Sequence, residues 1–305
     1  MYRSVYLLTA VLSIAIFGAL FYFADTRISI YAQRSESASL LPRSAEAGRP
    51  RASAPALTAF GGAARRNDQL RKTLSWPFAG KQQTGWDIYV PLIARTIGVD
   101  AGADTPEFAA AVSRWQDKNS LPPNGVLETT TLQALIRFWQ GQRLGRSSAP
   151  AEESLLSAPI SDFFDRSRDP GMLQLERETY AAYRRMIAAA AKDLGGDIRF
   201  SNTGELAEDE KLLRIVSAYR SPAYQQTLRR KEPNAGRGAL AKFSAHSTGQ
   251  ALDIYVGGEP VSTKDANRLL QVQTPAYKWL VKNASRFGFY NYFYEPWHWE
   301  YVPGR

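Results

Sequence analysis

Ser244-Ala245-His246-Ser247-Thr248-Gly249-Gln250-Ala251-Leu252-Asp253, with Glu295-Pro296-Trp297-His298 further on, is the part of this chain on which the rest of the reading turns. The chain has only two histidines, and each of these segments holds one of them. Neutral imidazole and carboxylate oxygen are both good zinc ligands. His246, Asp253 and His298 make three ligands and leave the fourth position of a tetrahedral ion open to water, the layout of a catalytic site. Glu295 sits three residues before His298, a spare carboxylate placed to take a proton from water at that open position. The His-x6-Asp spacing is not diagnostic alone, because such a pair is ordinarily a local hydrogen bond on a surface or in a core.

The residues around that spacing carry more. The pattern Ser-x-His-x-x-Gly-x-Ala-x-Asp is followed by Glu-Pro-Trp-His-Trp, and upstream stands Ser217-Ala218-Tyr219-Arg220-Ser221 with Gln225. In this order the three segments resemble the zinc D-alanyl-D-alanine carboxypeptidases and dipeptidases of the VanY type, over a stretch from about Leu173 to Val302. The resemblance implies zinc held by His246, Asp253 and His298, with Glu295 as the general base that passes its proton to the leaving amine. It also assigns Gln225 and Ser244 to substrate contacts. Arg220, at the end of an expected strand, suits an oxyanion donor, a role commonly worth ~3–4 kcal/mol per donor. Taken singly, Arg220 is ordinarily a surface ion pair and Ser244 a turn residue. The implied substrate is a peptidoglycan stem peptide that loses a terminal D-amino acid. One departure from the family stands out. Only Tyr290 to Tyr294 separate Gly288-Phe289 from Glu295, where the family usually has a longer loop. A shorter loop is expected to leave one side of the cleft open, which keeps endopeptidase action on cross-linked stems as the alternative. A non-catalytic zinc- or wall-binding relative is a third reading. The presence of both Glu295 and Arg220 favours the enzyme.

Composition sets the outer limits. The 305 residues suffice for two domains with a membrane or linker segment, and 44% hydrophobic content allows a sizeable core. The absence of cysteine excludes disulfides and thiolate zinc sites, so any zinc must sit on histidine and carboxylate. The net charge of +9 favours anionic partners such as lipid headgroups or wall polymers. Neither paired Cys/His fingers nor an RNP aromatic box is present, so no nucleic-acid partner is expected.

From the amino end, Val5 to Ala24 carries no charge, and ~20 apolar residues span a bilayer. The apolar core of a cleaved signal peptide is usually ~7–15 residues, so residues 1–25 are expected to be a single-pass anchor. The remainder would then lie outside a bacterial cytoplasmic membrane, in the periplasm or wall space. Residues 26–75, rich in Ala, Ser, Arg, Pro and Gly, are expected to be a flexible basic linker. Residues 76–141 show helical spacing at Tyr89, Leu92, Ile93 and Ile97, then at Phe108, Val112, Trp115 and Gln116 after a cap at Asp104 or Thr105 with Pro106 first. A third helix follows, with Thr129 or Thr130 as its cap and Leu132, Leu135 and Ile136 inside. This segment resembles the small three-helix peptidoglycan-binding domain, with Trp115 in place of its Phe and Asn124 in place of its Asp. Its aromatic and Gln residues are expected to serve core and turn, so no sugar contacts are assigned. Residues 142–160 are expected to be a second linker, and 161–305 the zinc peptidase domain. There Leu173, Tyr180, Tyr183, Ile187, Ala190 and Leu194 mark a helical face. Leu213 to Ala218, Leu252 to Val256, Tyr290 to Tyr294 and Trp299 to Val302 are expected strands, and Thr274-Pro275 opens a helix. The expected class is α+β, with a small antiparallel sheet and flanking helices.

Overall fold

The computed structural model describes residues 59–145, 150–221, 223–224 and 244–304. The expected membrane anchor and the position of Gln225 lie outside these residues. Among the described residues no helix is long and apolar enough to cross a membrane. The architecture is α+β, with helices and small antiparallel sheets.

The amino-terminal module begins with α1 (Gly61–Thr73) and a hairpin of β1 (Ser75–Phe78) and β2 (Lys81–Thr84). A 3-10 turn, Asp87–Tyr89, leads into α2 (Val90–Ile97), followed by α3 (Pro106–Lys118) and α4 (Thr129–Gln142). Three of these helices match the expected ones. Thr105 is the cap of α3, its hydroxyl accepting from Phe108 N at 3.2 Å, with Pro106 first as expected. α4 starts at Thr129 with no side-chain cap, and Thr131 faces inward instead. The turn before α4 is built on Gln116. Its amide nitrogen donates to Val126 O and Thr131 Oγ1, both at 2.9 Å, and its oxygen accepts from Gly125 N at 2.8 Å. Gln116 therefore serves the turn, as the sequence implied.

α1 falls inside the stretch expected to be a flexible linker. It is ordered because Ala64, Asn67 and Leu70 form one buried stripe, while Arg65, Arg66 and Asp68 stay on the outside. Asn67, fully buried, donates to Gly125 O at 2.9 Å and accepts from Leu127 N at 2.8 Å, tying α1 to the turn below α4. The stripe is hard to see in the sequence because its middle member is polar.

The carboxy-terminal domain opens with β3 (Leu155–Ser157), which pairs antiparallel with β4 (Gln174–Glu176). Residues 142–160, expected to be a linker, thus contribute a strand. α5 (Arg177–Asp193) buries Tyr183, Met186, Ile187 and Ala190. The main sheet has the order β5 (Ile215–Ser217), β6 (Ala251–Ile254), β8 (His298–Tyr301), β7 (Phe289–Asn291), with every neighbouring pair antiparallel. Between β6 and β7 lie α6 (Asp265–Gln273) and α7 (Pro275–Asn283), the latter capped by Thr274 as expected. α5 and α7 cover one face of the sheet and share its core with Leu252, Ile254 and Trp299.

The segment Tyr292–Tyr294 leaves β7 and buries itself in the core of the amino-terminal module. The Phe293 ring lies 4.8 Å from Phe78, 5.5 Å from Tyr89 and 5.9 Å from Trp139, measured between centroids. Arg268 of α6, fully buried, lies 3.9 Å over the Tyr294 ring and donates to the Tyr89 hydroxyl. The side of the carboxy-terminal domain that carries this short loop is therefore packed against the module. The short loop is apolar because it is a docking knob.

If α1 is part of the fold, Asn67→Ala will destabilise the full chain by about 2 kcal/mol, since Gly125 O and Leu127 N lose their partners in a buried place. Urea unfolding measures this. A tether in the same stretch would tolerate the substitution with no change.

Candidate metal centre

Asp253 on β6 and His298 on β8 are directly opposed across the antiparallel ladder. Opposed residues project to the same face with Cβ atoms about 4.5–5.5 Å apart, so the pairing register alone brings the two side chains together. His298 Nδ1 lies 2.9 Å from Asp253 Oδ1. His246 arrives on a 3-10 turn, Ala245–Thr248, between Ser244 and Gly249. Gly249 ends that turn with φ 71°, and a Cβ there would lie 2.9 Å from Glu176 N. The glycine of the His-x-x-Gly segment is thus required both by its backbone angle and by the close approach of β4. The turn puts His246 Nε2 at 3.2 Å from the same Asp253 oxygen, with the two imidazole centroids 5.0 Å apart. All three residues are buried.

The donor set fits a zinc-type ion. One nitrogen of each ring is already committed. His246 Nδ1–H donates to Ala218 O at 2.7 Å, because a carbonyl only accepts. His298 Nε2–H donates to Glu300 Oε1 at 3.1 Å. In each neutral ring the other nitrogen carries the lone pair, and those two nitrogens lie 3.2 Å and 2.9 Å from Asp253 Oδ1, while the three residues each offer a ligand atom within 4.8 Å of the others. Tetrahedral bonds of about 2.0–2.1 Å place ligand atoms about 3.3 Å apart, close to the two nitrogen-to-Asp253 spacings.

The chain's own groups set the charge states. Burial, with Arg220 nearby, pulls His246 down to about 4 and keeps it neutral. Burial alone would raise Asp253, but the flanking His246 and His298 hold it well below the usual carboxylate range. Burial also lowers His298, yet its bonds to Asp253 and Glu300 prevail and push it up to about 9. A divalent cation held by His246, Asp253 and His298 would require that His298 proton to be released, because only the deprotonated nitrogen can be a ligand.

Arg220 is buried at the end of β5, with Nη2 3.1 Å from Asp253 Oδ2 and 3.1 Å from Ser217 Oγ. It holds the outer oxygen of Asp253 and thereby turns Oδ1 toward the histidines, a role nearer the ligand than the oxyanion contact expected from sequence. Ser244 Oγ accepts from His246 N at 3.3 Å and caps the turn, which is the plain turn reading. Glu295 is half-buried, and its backbone carbonyl accepts from His298 N at 2.9 Å, so a tight turn fixes it beside the ligand. No hydrogen bond joins its carboxylate to another described residue. Burial pushes that carboxyl above its ordinary value, with His298 opposing.

Two residues of this cluster were not singled out from sequence. Glu300, two positions after His298 on the same strand, shares its face and accepts the His298 ring proton. Arg143, at the carboxy-terminal end of α4, forms an ion pair with Glu300, and Leu144 N donates to the other Glu300 oxygen at 2.9 Å. Burial would raise Glu300, but the Arg143 charge and the His298 bond bring it down to about 2. The period-two spacing in His-Trp-Glu was available as a signal for Glu300. Nothing local marks Arg143.

Residues 172–304 match the family model described as VanY, D-alanyl-D-alanine carboxypeptidase, so the recognition drawn from the three motifs holds for this part of the chain. No curated protein matches the chain.

The full chain should bind one zinc ion, with His246→Ala and His298→Ala each reducing occupancy to background. Elemental analysis after dialysis measures both. Full occupancy in the double variant would rule this centre out.

Proposed function

We propose that this protein is a zinc-dependent D-alanyl-D-alanine carboxypeptidase that removes the terminal D-amino acid from peptidoglycan stem peptides. The family match supports a hydrolase of this general type. The observation that carries the metal part of the reading is the convergence of two imidazole lone pairs and one carboxylate oxygen, with both outer ring nitrogens already spent as donors.

Zinc held by His246, Asp253 and His298 would supply a Lewis acid that polarises the scissile carbonyl and acidifies water at neutral pH. Glu295 takes the proton of the attacking water and delivers it to the leaving amine. Its upward shift brings it nearer the working pH, where a group both accepts and returns a proton. Arg220 fixes Asp253 through Nη2, and its guanidinium charge stabilises developing negative charge on the substrate. Ser244, whose oxygen accepts from His246 N, keeps its hydroxyl proton to donate to a substrate carboxylate. Gln225 is assigned to substrate by family resemblance.

The aromatic loop supports release of a terminal residue over endopeptidase action. An open flank was the reason to expect cross-linked substrates, and Phe78, Tyr89 and Trp139 pack against that flank. The proposed location is outside a bacterial cytoplasmic membrane, anchored by residues 1–25. A reporter fused after Arg305 is expected on the outer side and membrane-bound, and cytoplasmic exposure would reject the location.

Glu295→Gln is expected to keep zinc and lose hydrolysis of a D-alanyl-D-alanine pentapeptide by roughly 10²–10⁴-fold, the usual worth of a general base. Mass spectrometry of released D-alanine, beside zinc analysis, measures both. Loss of zinc with activity would make Glu295 a ligand. Cleavage confined to the cross-bridge of a dimer, with the pentapeptide untouched, would make the enzyme an endopeptidase.

A further inference from the structure

Among the described residues, Arg143 at the end of the amino-terminal module pairs with Glu300, the partner of His298. Arg143 follows the last residue of α4, and its partner Glu300 lies at the middle of the peptidase sheet, between Ala251 on β6 and Tyr290 on β7. Glu300 is 1% exposed. A carboxylate in such a place is tolerated only when paired and hydrogen-bonded. Its partners among the described residues come from two sources. His298 Nε2–H is one, at 3.1 Å. The others, the Arg143 guanidinium and Leu144 N, both belong to the end of the helical module.

Arg143 is itself held in place. Its guanidinium carbon lies 4.1 Å over the Tyr292 ring, and Nη1 donates to Gln140 Oε1 at 2.7 Å. Tyr292 belongs to the loop that docks into the module, so the same contact that joins the two parts also aims the arginine. The two carboxylates flanking His298 each have their own guanidinium, Arg220 on Asp253 and Arg143 on Glu300. One comes from the peptidase domain and the other from the module.

We propose that Arg143 is a positioning residue of the metal centre: it fixes Glu300, which fixes the His298 ring with Nε2–H outward and Nδ1 toward the metal. The helical module is then a structural part of the peptidase site, in addition to anything it binds. A ligand histidine with its second nitrogen held by a carboxylate has one ring orientation and one available lone pair, and losing such a support typically costs 10–100-fold in metal affinity. With the carboxylate unanchored, the ring can turn about its bond to Cβ and offer either nitrogen. This inference rests on the zinc reading above.

The chain's two histidines make the test direct, because every imidazole nitrogen signal belongs to His246 or His298. Full-length protein, metal-free, is titrated with zinc by calorimetry. The zinc-loaded form labelled with ¹⁵N-histidine then reports which ring nitrogen carries the proton and which the metal. In the unsubstituted protein both rings give one set of signals, His246 bound through Nε2 and His298 through Nδ1. Arg143→Ala is expected to weaken zinc binding about 10–100-fold and to give His298 a second set of signals, with His246 unchanged. Arg143→Lys, which keeps the charge without the fork, is expected to fall between the two. Should Arg143→Ala fail to fold, Arg143→Lys and Glu300→Gln carry the same two readouts. Unchanged affinity and an unchanged His298 pattern in the variants would overturn the positioning role while leaving the metal centre standing. An unsubstituted protein that binds no zinc would overturn the metal centre, and the positioning role with it.

Discussion

The direct pairing of Asp253 with His298 across β6 and β8 is the constraint on which the rest depends. It fixes two of the three candidate ligands through backbone hydrogen bonds, before any side-chain contact is considered. A slip of one residue between the strands would send one of the two to the opposite face, into the apolar core made with α5 and α7. The third candidate ligand needs a separate device, the turn that ends at Gly249, because the residue opposed to Asp253 on its other side, on β5, is Ser217. The sheet is therefore read twice. One face carries Leu252 and Trp299 into the core, and the other carries Asp253, His298 and Glu300.

The polar face is expensive to bury. Two carboxylates and two imidazoles lie together with little access to water, and such a group is stable only when each member has good partners. Arg220 and Arg143 supply the opposite charges, and Ala218 O and Leu144 N supply backbone partners. The rings at positions 292–294 complete the arrangement by joining the two modules in one aromatic core. What looks in sequence like a shortened loop next to Glu295 is, in the fold, the point of attachment.

The legible parts were those whose signal is local. The cap and first proline of α3 and of α7, the polar turn around Gln116, and the strands bearing Asp253 and His298 all follow from short-range chemistry. The three candidate ligands, which the fold brings together, were legible for a different reason: two histidines in the whole chain, each in a distinctive segment, leave few alternatives. α1 was missed because an asparagine stands in its buried stripe and arginines dominate its composition. β3 was missed because three residues are too few to set a period. Arg143 is a case of long-range pairing, 157 positions from Glu300, between groups that look like ordinary surface charges until the sheet is formed.

X-ray absorption at the zinc edge of the loaded full-length protein tests the central claim most directly. The account predicts a four-coordinate ion with two imidazole nitrogens, one carboxylate oxygen and one further oxygen, at about 2.0–2.1 Å. The two-imidazole signature should be lost in His298→Ala. A shell of oxygens with fewer than two imidazoles, or one indifferent to that substitution, would place the ion elsewhere and contradict the account.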